Sequence, residues 1–139
     1  MNKDLIDTRG DPHWIRGEIK NAGNRAAEGC RLKVLTVEGQ NVTQAKAIEN
    51  GELQWQGGGC SPKRLDPGER WVFDIGTRVR ADNSALVLLA FFAGNQVGCA
   101  LPSPGVYTVT FGLFGPDIPS QQKSVTFKIG PTVGDIQIS

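Results

Sequence analysis

Histidine is almost absent from this chain, and its scarcity limits the enzyme chemistry that the protein can support. His13 is the single histidine among 139 residues, so a Ser-His-Asp or Cys-His arrangement would depend on that one side chain. The carboxylates are scattered, and Asp66 and Glu69, which lie close together, flank a turn. We therefore predict no catalytic residue, and we keep a hydrolase that depends on His13 as an alternative.

Cysteine is sparse and irregularly spaced. Cys30, Cys60 and Cys99 lie 30 and 39 residues apart and form no C-x-x-C pair. That spacing fits neither a zinc site nor a redox dithiol, so the sequence predicts no metal and no cofactor. Three thiols, or one disulfide with one thiol left over, both remain open.

The chain also lacks an excess of either charge. Fifteen Lys and Arg residues face fourteen Asp and Glu residues, for a net charge of +1. No long-range field attracts nucleic acid or an anionic membrane, so we expect neither as a partner.

No hydrophobic run is long enough to cross a bilayer. The longest, residues 85–93, is about half the length that a transmembrane helix requires. We interpret it as a strand covered on both faces and expect no direct membrane insertion. Residues 1–7 show no apolar signal-peptide core. The expected location is therefore intracellular, unless the chain is a domain of a longer, exported or membrane-anchored parent.

Glycine and proline are abundant, with 18 and 8 residues, which favours short strands joined by tight turns. Apolar residues alternate with polar ones in the pattern of half-buried strands, in residues 15–19, 30–37, 71–75, 107–113 and 125–129. Turn signals recur about every ten residues, which is typical of a sandwich or barrel. We predict an all-β antiparallel sandwich of seven or eight strands, with residues 1–12 as a flexible lead-in and 13–139 as a single domain.

Tyr107, the chain's only tyrosine, follows the corner Pro104-Gly105 at the start of a late strand. In many sandwiches a tyrosine at such a corner donates its hydroxyl to the backbone a few residues upstream. We predict this structural role for Tyr107.

A second structural signal is the turn Asp66-Pro67-Gly68-Glu69. Pro67 presets φ at the second position, and Gly68 accepts the positive φ that a type II turn needs at the third. Trp71 follows on the same face as Phe73 and Ile75, and we predict that it belongs to the core.

Two segments together resemble a known family: Gly17 to Gly23 followed by Ala27 and Cys30, and Leu65 to Glu69 followed by Trp71 to Ile75. The chain resembles the bacterial immunoglobulin-like sandwiches of the CARDB and FxLYD type. The resemblance implies an immunoglobulin-like fold and a stalk, adhesion or assembly role, with no catalytic residues to carry over. Two features depart from the pattern: the connection over residues 40–64 is long, and Val109 stands where a cysteine of the immunoglobulin pair would be.

Trp14 and Trp55 are the candidate contact residues. Trp14 shares its parity with Arg16 and Glu18, and Trp55 lies beside Gly57-Gly58-Gly59. Exposed indoles bind sugars in some sandwich modules, so a carbohydrate-binding module is one alternative; the other interpretation is that each indole caps an end of the sandwich. We predict a non-enzymatic interaction or structural module, part of a larger or membrane-associated assembly. It would contact a protein partner or a second copy through a sheet edge, with an end loop as the other binding surface.

Overall fold

The computed structural model describes residues 2–7, 14–39, 45–78, 85–102, 104–116, 118–130 and 136–139. The elements within these residues are β1 (Asn2–Asp7), β2 (Trp14–Lys20), β3 (Ala27–Gly39), α1 (Ala45–Ile48), β4 (Lys63–Leu65), β5 (Arg70–Arg78), β6 (Ala85–Phe92), β7 (Asn95–Pro102), β8 (Gly105–Gly115), β9 (Ile118–Ile129) and β10 (Ile136–Ile138). The strands form two antiparallel five-stranded sheets, in the orders β1-β2-β5-β6-β7 and β10-β9-β8-β3-β4. The predicted all-β sandwich is confirmed.

Three parts of the strand prediction differ from the structure. Residues 2–7, placed by the sequence in a flexible lead-in, form β1 and pair with β2. Residues 95–102, which the sequence analysis did not assign to a strand, form the eight-residue strand β7. Strand β9 begins at Ile118, well before the alternating residues 125–129 that predicted it.

The core lies between the sheets and is formed by the residues that the alternation selects. In β2, Ile15 and Ile19 are 2% and 1% exposed, and in β9 Val125, Phe127 and Ile129 are equally enclosed. Phe73 of β5 meets Phe111 of β8 edge-on, with ring centroids 6.2 Å apart. Full burial of a side chain of this size contributes about 1.5–3 kcal/mol, so these alternating faces hold the two layers together.

Strand β6 departs from its predicted environment. Its inner face is buried, with Leu86 and Leu88 at most 1% exposed. Its outer face is only half-buried at Val87, Leu89 and Phe91. The run is therefore not covered equally on both faces, and apolar side chains line the outer surface beside β7.

Gly17 lies in the interior of strand β2, where glycine is uncommon. It lies opposite Phe73 in the β2-β5 pair, and a Cβ at Gly17 would run into the Phe73 ring. The aromatic ring thus covers bare backbone, and glycine is required for this close approach.

Residues 50–56, which we call the bridging segment, join the two sheets along one side of the sandwich. The segment hydrogen-bonds to β3, β6 and β5 in turn. The bonds are Val34 N to Gly51 O (3.0 Å), Leu53 N to Leu32 O (2.9 Å), Glu52 N to Phe91 O (2.9 Å), Asp74 N to Gln54 O (2.8 Å) and Gln56 N to Val72 O (2.8 Å). The long connection that departs from the family pattern therefore closes this side of the fold.

The predicted turn at Asp66 to Glu69 is present. Gly68 has a φ of 81°, and Glu69 N donates to Asp66 O at 2.9 Å, so Pro67 and Gly68 occupy the positions expected of them. The turn is fixed to the turn after β2, because Gly68 N donates to Asn21 O at 2.8 Å.

Trp71 is less buried than its pattern predicts. It is partly buried and packs against the core, with its ring 6.0 Å from that of Trp55 in an edge contact. The amino group of Lys63 lies 4.6 Å above the Trp71 ring. Lys63 belongs to the short strand β4. Its ammonium group, and not an apolar core side chain, therefore covers this face of the indole.

Candidate functional site

Trp55 does not form an exposed platform. It is 2% exposed, and its indole Nε1 donates to the carbonyl of Ser61 at 2.8 Å. The bridging segment carries it between the sheets, where it bridges to Phe73. The prediction that Trp55 contacts a ligand is therefore corrected: its N–H is satisfied inside the protein and neither ring face is free.

Trp14 lies on the outer face of the first sheet and is half-buried. The Arg16 guanidinium lies 5.1 Å from the centre of its ring. Arg16 Nε also donates to Asp74 Oδ1 at 2.8 Å, and Gln54 Nε2 donates to Asp74 Oδ2 at 3.2 Å. Asp74, 6% exposed, is thus a buried carboxylate with both oxygens bound.

The depression beside Trp14 is too small for a sugar. Its volume is about 30 Å³, which holds one or two water molecules. The Arg16 guanidinium packs on the Trp14 ring, and Trp55 is buried. The two indoles therefore do not form a shared exposed surface. The geometry gives no support to the carbohydrate-binding alternative.

A larger cleft opens at one end of the sandwich. Its volume is about 370 Å³, and Ile19, Cys30, Leu65 and Leu113 form its apolar part. The amide of Asn21 on its rim is already engaged, since Nδ2 donates to Arg25 O at 2.7 Å and to Leu65 O at 2.9 Å. Lys20 and Gln121 also line the cleft, so its surface is part polar and part apolar.

The enzyme alternative cannot be placed on the structure. His13 lies outside the described residues. Among the described residues, no group of three or more His, Cys, Asp or Glu side chains is arranged to hold a metal. No helix in the same part of the chain is long and apolar enough to span a membrane.

The cysteines are thiols in buried or half-buried places. Burial raises the pKa of the Cys99 thiol, and burial followed by the charge of Glu52 raises the pKa of Cys60. A raised pKa lowers the thiolate fraction at neutral pH, so Cys60 and Cys99 are poor nucleophiles.

The sheet edges differ in length and charge. β4 and β10 are three residues long, and β1 carries Lys3, Asp4 and Asp7. β7 has eight residues and no charged side chain. Natural sheets protect their edges by short strands, charge, proline or bulges. Along most of its length β7 has none of these; only Pro102, at its last position, is a blocking residue.

The register of the β6-β7 hairpin shows which backbone groups of β7 face outward. Phe92 pairs with Asn95 across the two-residue turn Ala93-Gly94, and such a pair exchanges both backbone hydrogen bonds. Bonded pairs recur every second residue, so the N–H and C=O groups of Val97, Cys99 and Leu101 point at β6. The corresponding groups of Gln96, Gly98 and Ala100 point away from it, and β7 is the last strand of its sheet within the described residues.

The residues beside this edge are uncharged and exposed. Gln96, Gly98 and Ala100 are all exposed on the outer face, and the inward-facing Cys99 and Leu101 are fully buried. An incoming strand would meet three donors and three acceptors, and the residues that carry them are exposed within the described part of the chain. We call this the β7 edge, defined by Gln96, Gly98 and Ala100.

Comparisons with protein-family models, curated proteins and solved structures return no match. The function is therefore inferred from the geometry of this chain. Sequence reasoning predicted an edge contact without identifying which strand supplies it. The one local signal was the pair Ala93-Gly94, and it is weak because a two-residue hairpin turn usually has asparagine at its first position.

Proposed function

We propose that this chain is a non-enzymatic interaction module that binds an extended segment of a protein partner at the β7 edge. The observation that carries the proposal is the combination of length, lack of charge and open backbone groups in one edge strand. Strand addition uses main-chain hydrogen bonds for affinity and side-chain pockets for specificity.

An immunoglobulin-like fold of the CARDB and FxLYD type belongs to the same proposal. Two features support it. The Tyr107 hydroxyl donates to Pro102 O at 2.5 Å, as in the tyrosine corner of sandwiches, and the two turns that carry the resemblance are hydrogen-bonded to each other. A rigid sandwich of this kind holds the β7 edge in a fixed geometry, as an assembly or adhesion module requires.

The bound side chains around Asp74 support a binding role over catalysis. Arg16 and Gln54 each donate a hydrogen bond to one oxygen of this buried carboxylate. These two bonds connect β2, β5 and the bridging segment. The observed role of this carboxylate is to join these three elements, and no second carboxylate is shown beside it among the described residues.

The test uses peptides of extended conformation. Decapeptides without net charge are selected from a displayed library against the immobilised domain, and the affinity of a labelled winner is measured by fluorescence anisotropy. Ala100→Pro removes one outward N–H and leaves the bonds to β6 in place, since proline is tolerated on an edge strand at such a position. We expect a loss of affinity of about threefold to tenfold, which corresponds to the net contribution of one hydrogen bond.

Ala100→Ser is the matched control because it keeps the N–H at the same exposed position. We expect it to bind like the wild type, and thermal unfolding should show both variants folded. Equal affinity of the proline and serine variants, or a library that yields no binding peptide, would contradict the proposal.

A further inference from the structure

We infer that the strand which the β7 edge accepts is β7 of a second copy of this chain, in antiparallel pairing about a two-fold axis at Gly98. The inference rests on the proposed function, because it names the partner for the same edge. In a two-fold symmetric contact the same surface is used by both copies, so a charged residue close to the axis lies beside the same charge of the second copy. β7 carries no charge at all.

The backbone fixes the register. Gln96, Gly98 and Ala100 carry the outward-facing groups, so antiparallel pairing places Gly98 opposite Gly98 of the second copy and Gln96 opposite Ala100 of the second copy. Each facing pair exchanges two hydrogen bonds, and the three pairs give about six in all. In this register every outward-facing backbone N–H between the Ala93-Gly94 turn and Pro102 forms a hydrogen bond. Pro102 itself has no backbone N–H to donate.

The side chains fit this register on both faces of the sheet. On the outer face, Gly98 leaves the axis free, and Gln96 lies beside the small Ala100 of the second copy. On the inner face, half-buried Val97 comes opposite the buried Cys99 of the second copy, an apolar pair. Within β7, the described residues bring no charged side chain against its own copy on either face.

The result is one continuous sheet of ten strands. Two sheets in the order β1-β2-β5-β6-β7 join through their last members, and ten strands is about the largest open sheet that proteins commonly form. Joining also removes from solvent the long uncharged edge strand found among the described residues, and an open edge of that kind favours aggregation. The net charge of +1 per chain gives little repulsion between the copies.

Two double variants test the register by charge. Gln96→Lys with Ala100→Lys places lysine opposite lysine at both facing pairs. Gln96→Glu with Ala100→Lys places opposite charges there, with the same number of exposed substitutions. Facing charges across strands attract or repel according to sign, so sedimentation equilibrium should show a dissociation constant at least tenfold higher for the lysine pair than for the mixed pair.

The wild type should shift from monomer to dimer as its concentration rises, and the lysine double variant should stay monomeric over the same range. Equal dimerisation of the two double variants would overturn the inference, since the dimer would then use another surface. A wild type that stays monomeric, yet binds peptides in a manner lost in Ala100→Pro, would also overturn it while leaving the proposed function standing. A wild type that neither dimerises nor binds peptides would contradict the proposed function as well.

Discussion

The side chain of Asn21 donates a hydrogen bond of 2.9 Å to the carbonyl of Leu65, 44 residues away in the chain. The same amide nitrogen donates to Arg25 O at 2.7 Å, and its oxygen accepts from Gly23 N at 3.0 Å. One side chain thus shapes the turn after β2 and fixes β4 to it. The backbone completes the junction, with Asn21 N bonded to Glu69 O at 3.1 Å.

Asn21→Ala should therefore destabilise the fold by about 1–3 kcal/mol, because it leaves a partly buried carbonyl without its donor. Urea denaturation measures the change in the free energy of unfolding. Asn24→Ala, an exposed substitution in the same turn, is the control and should fall within about 0.5 kcal/mol of the wild type. Similar losses in both variants would show that the turn lacks the proposed junction.

Tyr107→Phe removes the hydroxyl that binds Pro102 O and keeps the ring, which is 2% exposed. We expect a loss of about 1–2 kcal/mol in the free energy of unfolding. The far-UV circular dichroism spectrum should be unchanged, since the ring still covers Gly39 and Gly105. Equal denaturation midpoints for the two proteins would contradict the corner.

Alkaline pH should weaken the fold. Burial raises the pKa of Cys99, and burial followed by the neighbouring Cys99 raises the pKa of Tyr107. In the unfolded chain these groups lose their protons from about pH 9 upward, whereas the folded state keeps them longer, so the unfolded state binds fewer protons and stability falls as pH rises. The stabilising contribution of these groups is fully present at pH values below their pKa values in the unfolded chain. It is lost as the pH rises through their pKa values in the folded protein.

The pH dependence is measured as the urea midpoint between pH 7 and pH 11. Cys99→Ala should flatten the decline, whatever its effect on stability at pH 7, because it removes the Cys99 ionisation and the effect of Cys99 on the pKa of Tyr107. An identical slope in the variant would mean that Cys99 does not contribute.

The hairpin turn between β6 and β7 contains a strained alanine. Ala93 has a φ of 50° and Gly94 a φ of 84°, the left-handed pair of a type I′ turn, in which asparagine and glycine are preferred. Ala93→Asn should raise stability by about 0.5–1 kcal/mol, and Gly94→Ala should lower it by about 1 kcal/mol. Both residues are exposed and a Cβ at Gly94 meets no atom within 4 Å, so thermal unfolding would report backbone conformation alone. Changes of the same sign in both variants would be evidence against this turn type.

The inner faces of the sandwich could be predicted because burial imposes a period of two on the residues of a strand. Ile15, Gly17 and Ile19 show it, as do Tyr107, Val109 and Phe111, and all six are buried. The corner at Tyr107 and the turn at Gly68 were predictable because each depends on chemistry within a few residues.

Long-range pairing was not predictable in the same way. Trp55 lies near three flexible glycines in sequence, but its burial depends on the carbonyl of Ser61 and on contact with β5, which no local pattern records. β7 was missed because its hairpin has alanine where a type I′ turn usually has asparagine. Arg16 and Asp74 meet across β2 and β5 at a register shift, and a bulge of that kind changes the pairing without a mark in the sequence.

Residue-resolved amide hydrogen exchange of β7 tests the central claim most directly. At a concentration at which sedimentation gives the monomer mass, the amides of Gln96, Gly98 and Ala100 should exchange fast, and those of Val97, Cys99 and Leu101 slowly, because only the second set is bonded to β6. When a selected peptide is added, or when the concentration is raised until the dimer forms, the first set should become slow while the second is unchanged. Equal protection of both sets in the monomer, or fast exchange of the first set in the bound form, would contradict an open strand edge that binds by strand addition.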